Sequence, residues 1–407
     1  MNRPLTLLLV AVAVAGSGCA ALETALPETT AAGDPTRQIL VMIESPVPHY
    51  QPGVAVSGYA AHAARIRAAA IAGALARDHG AILVQGWTMR SLALHCFVME
   101  AAPDDTPGAL AERIGADPRV ESVQPLHFFR TSGRHAPQVA YRSEAELDRL
   151  HRVATGRDVR IAQADSGADL RHPQLAGRLY AARNFVDGGA YAAEVHGTAV
   201  AGVIVGRAGD GLGTTGVAPD ARLLPLRACW EDPAHPDTAL CTSYSLARAI
   251  QFALDRGVQV LNLSLTGPYD RLLERLIDRV AERGITVVGA VDPAAPDGGF
   301  PASHPRVVAV AAEDDPRRPS HAILAPGRDV LTTVPAGGWG LFSGPSFAAA
   351  HVTGIAALLI EARPSLTGEE IRTVLIRHGR PAPVGGEARL DACAALASVA
   401  RFASCPP

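Results

Sequence analysis

Short apolar runs alternate along the chain with longer segments of helical spacing, and their order divides the chain in two. In the first part, Gln38–Glu44 is a short β-branched run, followed by an alanine-rich stretch with helical spacing at 59–78. Residues 81–85 and 93–100 read as strands, 106–115 as a helix approached through Pro103 and Pro107, and 120–129 as a last strand. Proline suits the first turn of a helix, where its missing N–H has no intrahelical acceptor. The order strand, helix, strand, strand, helix, strand predicts a small ferredoxin-like α+β unit over 38–130.

A polar stretch containing Gly133 and Pro137 follows at 130–142 and reads as a linker. From 145 to 398, strand-like runs at 159–164, 222–226, 258–265, 285–291 and 307–311 alternate with helical patterns at 198–206, 245–256, 269–283 and 347–362. Strands taking turns with helices predict an α/β unit, a parallel sheet with helices on both faces. Its chemistry is expected at the carboxyl ends of the strands.

The N-terminus carries an export pattern. A short positive start at 1–3 precedes an apolar run at 5–14, too short for a bilayer, which takes about 20 residues. Residues 1–18 therefore read as a signal peptide. The small residues Gly16-Ser17-Gly18 before Cys19 resemble a bacterial lipobox, in which the cysteine is lipidated after cleavage, although Gly16 stands where leucine is usual. Ordinary cleavage near Ala15 is the alternative. Residues 19–37, small, polar and proline-containing, read as a tether. No other segment reads as membrane-spanning, so the expected membrane contact is a lipid anchor alone. The expected location is the periplasm or cell envelope as a lipoprotein, or the medium.

Composition narrows the function. The 407 residues are enough for two or three domains of about 150 residues. With 48% hydrophobic residues and a formal net charge of −3, the chain is neither disordered nor a nucleic-acid binder. All 37 basic residues are arginine, scattered rather than gathered into a patch. Apart from Cys19 there are five cysteines. Cys229 with Cys241 and Cys393 with Cys405 are each 12 apart in sequence, natural local disulfides in an oxidising compartment. Cys96 is left as a buried thiol. With no CxxC, HExxH or clustered Cys/His spacing, neither a catalytic metal nor another cofactor is expected, and no acidic cluster indicates structural calcium. Gly211-Leu212-Gly213-Thr214-Thr215-Gly216 satisfies GxGxxG, but a helix precedes it and a strand follows, the reverse of a dinucleotide site.

Three motifs carry chemistry together. Asp165-Ser166-Gly167 ends a strand, His196-Gly197-Thr198 opens a helix, and Gly344-Pro345-Ser346-Phe347-Ala348-Ala349 leads into another. A serine is a poor nucleophile unless a base takes its proton, and the base needs a carboxylate to hold its tautomer. The order Asp, His, Ser is that of the subtilisin arrangement. The chain resembles the subtilisin-like serine proteases, the subtilases, over about 157–395. Asp165-Ser166-Gly167 is similar to the family's aspartate block, 196–202 to its histidine block and 344–354 to its serine block. The resemblance implies Ser346 as nucleophile, His196 as general base and then acid, and Asp165 as its orienter. It also implies that Ser264, Leu265 and Gly267, within Asn262-Leu263-Ser264-Leu265-Thr266-Gly267, line the substrate and pair with an extended peptide. The 38–130 unit is similar to the family's inhibitory propeptide, cut off autocatalytically, here in the window 129–141.

His351, His172 and Asp169 match no catalytic role; Asp169 is expected to support the loop after Asp165. Relatives carry an Asn that donates to the developing oxyanion. This chain has none there, and Asp292 is the nearest side chain. A carboxylate at that place helps only if protonated. Pro345 and Ala350 replace the usual Thr and Pro. The expected function is an exported serine endopeptidase made as an autoinhibited precursor, acting on proteins or peptides and bound by its own propeptide. The alternatives are a weak or inactive peptide-binding module of the same fold, and a hydrolase of esters or amides.

Overall fold

The computed structural model describes residues 34–45, 58–131, 133–135, 144–207, 215–232, 235–313, 315, 317–379 and 389–400. Cys19 with the export segment, most of the 19–37 tether, Gly211 to Thr214, and Cys405 lie outside the described residues.

The first unit contains β1 (Gln38–Glu44), α1 (Gly58–Asp78), β2 (Ile82–Met89), β3 (Leu94–Glu100), α2 (Pro107–Gly115) and β4 (Ser122–Pro125). Its antiparallel sheet has the order β2-β3-β1-β4, as in the expected ferredoxin-like arrangement. Thr106 caps α2 by accepting the Ala109 N–H at 3.2 Å, and Pro107 fills the first turn. Alternation along β1 sorts its side chains. Ile39, Val41 and Ile43 pack with Leu75, Leu110 and Ile114 of the two helices. Leu40 and Met42, with Cys96 and Val98 of β3, join a core shared with Leu246, Ile250, Leu272 and Leu276 of the second unit. A sheet wet on one face would alternate polar with apolar residues. Here the second unit covers the other face, so β1 is apolar on both.

Between the units run β5 (Phe128–Thr131), β6 (Arg134–His135) and α3 (Glu144–His151). The expected 120–129 strand is thus two strands. The Leu126 N–H donates to the Gln38 carbonyl, and one residue later His127 exchanges hydrogen bonds with Ser243 of the second unit. The chain changes sheets there. The supposed linker at 130–142 accordingly begins as strand.

The second unit holds β7 (Arg160–Asp165), β8 (Arg183–Asn184), α4 (Val195–Val205), β9 (Arg222–Arg227), β10 (Cys229–Asp232), β11 (His235–Thr242), α5 (Ser243–Asp255), β12 (Val260–Leu263), β13 (Leu265–Thr266), α6 (Arg271–Glu282), β14 (Thr286–Ala290), β15 (Val307–Ala312), β16 (Ile323–Ala325), β17 (Val330–Val334), β18 (Gly338–Ser343), α7 (Pro345–Ala362), α8 (Gly368–His378) and α9 (Ala392–Val399). The parallel sheet runs β16-β15-β14-β12-β7-β9-β8. Side chains of α4 and α7 pack in the core on one face, and those of α5 and α6 in the core on the other. The 258–265 run breaks at Ser264 into β12 and β13. By length and composition α7 does pass as a membrane span, against the sequence expectation, with a mean hydropathy of 1.3, but 89% of it is buried inside the protein. It is the central core helix.

Leu40, fully buried, lies where the two units share a core. Leu40→Ala is expected to destabilise the whole chain by about 2–5 kcal/mol, read from urea unfolding by tryptophan fluorescence. An unchanged midpoint would mean that this face of β1 is not covered.

Candidate active site

Asp165 ends β7, His196 lies in the first turn of α4, and Ser346 in the first turn of α7. Two glycines let the first two elements meet. A Cβ on Gly167 would lie 1.7 Å from the Ala192 carbonyl oxygen, and one on Gly197 2.1 Å from that of Ser166. Across this seam His196 Nδ1 and Asp165 Oδ1 are 2.7 Å apart, the histidine 4% exposed and the aspartate 0%. Asp165 Oδ1 also accepts the Ser166 N–H, and Ser166 Oγ accepts the Gly197 N–H at 2.9 Å. A carboxylate facing Nδ1 leaves the proton there and Nε2 as the acceptor. Among the described residues Nε2 has no hydrogen-bond partner.

Gly344 precedes α7 with φ 151° and ψ 164°, a combination essentially confined to glycine. It turns the chain out of β18 so that Pro345 and Ser346 open the helix. Ser346 Oγ donates to the Ser264 carbonyl at 2.9 Å and is not bonded to His196. In return Ser264 Oγ lies 2.9 Å from the Ser346 carbonyl and 3.0 Å from Asn262 Oδ1, and Asn262 Nδ2 donates to Thr353 Oγ1. The end of β12 is thereby fastened to α7.

A groove runs past these residues, and the chain's own β5 lies in it. The sheet order β10-β11-β5-β13 places β5 between two antiparallel neighbours. Thr131 and Arg130 pair with Leu265 and Thr266 on one side. On the other, Arg130, Phe129 and Phe128 pair with Leu240, Cys241 and Thr242. Phe129 is fully buried, its ring against Gly267, where a Cβ would lie 2.4 Å from it. Two residues beyond β5, a Cβ on Gly133 would lie 2.7 Å from the Phe347 ring and 3.5 Å from His196 Cδ2. Then β6 pairs with β18, Arg134 with Ser343 and His135 with Phe342.

Of the expected substrate-lining residues, Leu265 pairs with the strand in the groove. Gly267 instead pairs with Phe300 and serves as floor beneath Phe129, and Ser264 bonds with Ser346. Thr266, inside the expected segment though not singled out, follows Leu265 on the same short strand and pairs with Arg130. The strands β10 and β11 were not among the predicted elements, although the Cys229–Cys241 spacing marked the segment they form. These cysteines face each other in register and form a disulfide. Cys393 is disulfide-bonded too, while its expected partner Cys405 lies outside the described residues. Cys96 is a free, buried thiol whose pKa burial pushes up.

Asp292 follows β14. Its Oδ1 accepts the Ala294 N–H at 2.8 Å, and its own N–H donates to the Gly298 carbonyl, so the carboxylate closes a turn in its own loop. Asp169 accepts the Arg171 and Ala336 N–H groups, tying the loop after Asp165 to β17 and β18. His172 holds the Gly338 carbonyl, and His351 Nδ1 lies 2.8 Å from the Phe347 carbonyl oxygen on its own helix. Among the described residues no group of three or more His, Cys, Asp or Glu is placed to hold a metal ion.

The sequence profile of the Subtilase family matches residues 156–391. Subtilisin E of Bacillus subtilis (strain 168) is 31% identical over 278 residues, covering 63% of this chain and 69% of the relative. A thermophilic serine proteinase of Bacillus sp. (strain AK1) is 30% identical over 273 residues, covering 62% and 66%. Among solved structures, fervidolysin of Fervidobacterium pennivorans, a keratinolytic enzyme related to subtilisin, superposes with a TM-score of 0.66 at 22% identity. That match covers 88% of this chain, so it takes in part of the N-terminal unit as well, and 60% of fervidolysin.

The disulfide fixes a hairpin that forms one wall of the groove. Cys229→Ser is expected to cost about 3 kcal/mol, the chain-entropy value for a short loop. The loss of thermal stability should appear under oxidising conditions and vanish in reductant. Equal losses in both would show that the bond contributes nothing.

Proposed function

The chain belongs to the subtilase family of serine endopeptidases, and on that premise we propose that Asp165, His196 and Ser346 are its triad and that residues 38–131 inhibit it until the chain cuts itself. The observation carrying this reading is β5, paired on both sides in the groove and leading to Gly133 beside His196. An extended peptide that completes a sheet is how a protease holds its substrate backbone. With β5 on one side of the catalytic groups and β6 on the other, the bond to be cut is one of the two flanking Ser132. This narrows the window expected from sequence.

The chemistry follows from the groups present. A rotation about the Ser346 Cα–Cβ bond carries Oγ from the Ser264 carbonyl towards His196. Nε2 takes the proton as Oγ attacks the carbonyl carbon, and Asp165 stabilises the imidazolium through Nδ1–H. The same proton then goes to the leaving amine, and water repeats the sequence on the acyl-enzyme. The developing oxyanion faces the backbone N–H of Ser346, in the helix turn where donors outnumber intrahelical acceptors. Pro345 offers no side-chain donor, and Asp292 is committed to Ala294. These two positions favour a slow enzyme or, as the second reading, a peptide-binding module. The signal at 1–18 supports export, with Cys19 as the lipid-anchor site.

Other contacts support a folded, tightly docked inhibitor. Gln124 and His127 of the N-terminal part reach the buried Asp270 at the start of α6 at 2.7 and 2.9 Å. Burial raises the Asp270 pKa, but hydrogen bonds from His127, Ser243, the Leu273 N–H and Gln124 outweigh it and leave the carboxyl below the usual range.

Intact mass of the purified chain, wild type beside Ser346→Ala, tests the proposal. The wild type should lose its segment up to residue 131 or 132, and the Ala variant should stay joined at that bond. If neither is cut, the peptide-binding reading takes its place. Asp292→Asn should raise kcat on a peptide substrate by about 10²-fold, the low end of the range for one oxyanion donor, a range measured on subtilisin itself. No gain would mean that the loop does not bring residue 292 to the oxyanion.

A further inference from the structure

Two residues before His196, the side chain of Glu194 joins the three elements that frame the Asp165–His196 pair. Its Oε2 accepts the Gly167 N–H at 2.7 Å and Arg227 Nε at 3.0 Å. Its Oε1 accepts Arg227 Nη2 at 2.7 Å and the Glu231 N–H at 3.4 Å. Gly167 lies two residues beyond Asp165. Arg227 ends β9 directly opposite Asp165 in the β7–β9 register. Glu194 is the residue on which α4 begins. Glu194 is 7% exposed and Arg227 8%, so the pair is shielded from water and its two-pronged geometry fixes orientation as well as distance. Arg227 also donates to Asn184 Oδ1. Glu231, on the disulfide-bonded hairpin that walls the groove, accepts the Val195 N–H in the first turn of α4.

We propose that Glu194, held by Arg227, is a positioning residue for catalysis: it sets α4 against the end of β7 so that His196 meets Asp165 in line, and links that geometry to the substrate wall. Among the described residues the one side-chain bond from His196 to β7 is the 2.7 Å contact with Asp165, so its alignment depends on how α4 is set against the end of β7. The Glu194–Gly167 bond, two residues away on both partners, holds that setting together with the bond from the Gly197 N–H to Ser166 Oγ. A carboxylate at the start of α4 also offsets the positive end of the helix dipole, which would otherwise oppose the imidazolium formed in the transition state. Arg227 keeps that carboxylate oriented and its burial tolerable.

The inference rests on the triad reading above, and its test has one readout that needs no activity. In the full-length Ser346→Ala protein, the His196 Nδ1 proton shared with Asp165 should give a downfield proton resonance at low temperature. Adding Glu194→Gln, which keeps an acceptor for Gly167 but leaves the buried Arg227 without its carboxylate and so lowers the melting temperature too, should broaden or abolish it in the protein that remains folded. In the matured enzyme, Glu194→Gln should lower kcat per titrated active site by about tenfold or more, the scale on which misplacement of catalytic groups acts, with KM changed less than about twofold. Arg227→Lys, which keeps the charge but loses the fork, should lower kcat in the same way, and it serves also if the Gln variant fails to fold. A purely structural pair would reduce the number of titratable sites and the melting temperature, with kcat per site and the resonance unchanged; that result overturns the proposal. Absence of the resonance from the Ser346→Ala protein with Glu194 intact, together with a wild type that has no peptidase activity, would count against the triad reading rather than against the role of Glu194.

Discussion

Backbone pairing of β5 with both edges of the groove is the interaction on which the rest of the structure depends. Two sheet edges, β11 and β13, face each other across a gap one strand wide, and an unpaired edge exposes a row of donors and acceptors. The chain's own residues 128–131 fill that gap. Everything N-terminal to them is then drawn onto the surface formed by α5 and α6. The apolar second face of the N-terminal sheet is covered, Trp87 meets Tyr244 edge to face at 4.9 Å, Ser91 bonds Gln251, and Glu121 pairs with Arg275. The N-terminal unit is bound as a domain through a core-like face, and its tail is bound as a peptide. Cutting the tail near Ser132 would release only the second of these.

The sequence made some of this legible and concealed the rest for identifiable reasons. The N-terminal unit could be read because its helices are punctuated, by Pro107 and the Thr106 cap above all, and because its strands lie between them. The division of 120–129 could not. Nothing in Leu126-His127 departs from strand composition, and the change of sheet is decided by His127 meeting Ser243, which lies 116 residues away. The near-continuous apolarity of Gln38–Glu44 did announce that both faces of β1 are buried, a signal that a pattern search aimed at one-sided strands passes over. In the second unit the buried strands stood out as apolar runs, whereas β10, β11, β17 and β18 are stabilised by pairing rather than by an apolar face and left no comparable trace. The proposed triad was legible as three motifs because their glycines mark where backbones must touch: Gly167, Gly197 and Gly344 are each demanded by a contact or a conformation that no other residue allows. Glu194 was not, since an acidic residue at a helix start reads as an ordinary cap, and only the fold brings Arg227 beside it.

The departures from the family pattern acquire a physical sense in this setting. A protease that carries its inhibitor as a strand in its own cleft cleaves a bond presented at very high effective concentration, so even weak oxyanion stabilisation completes a single intramolecular turnover. Multiple turnover on a separate substrate has no such help and is where missing donors are felt. With Pro345 contributing none and the Asp292 carboxylate engaged by Ala294, the self-cut we propose would demand far less of this site than cleavage in trans. Constraint on the base then matters more. When the oxyanion side is poor, the proposed triad leaves the remaining transition-state stabilisation to the imidazolium between Ser346 and Asp165. A buried, forked strut beside that pair therefore stands where loss of alignment would be least tolerated.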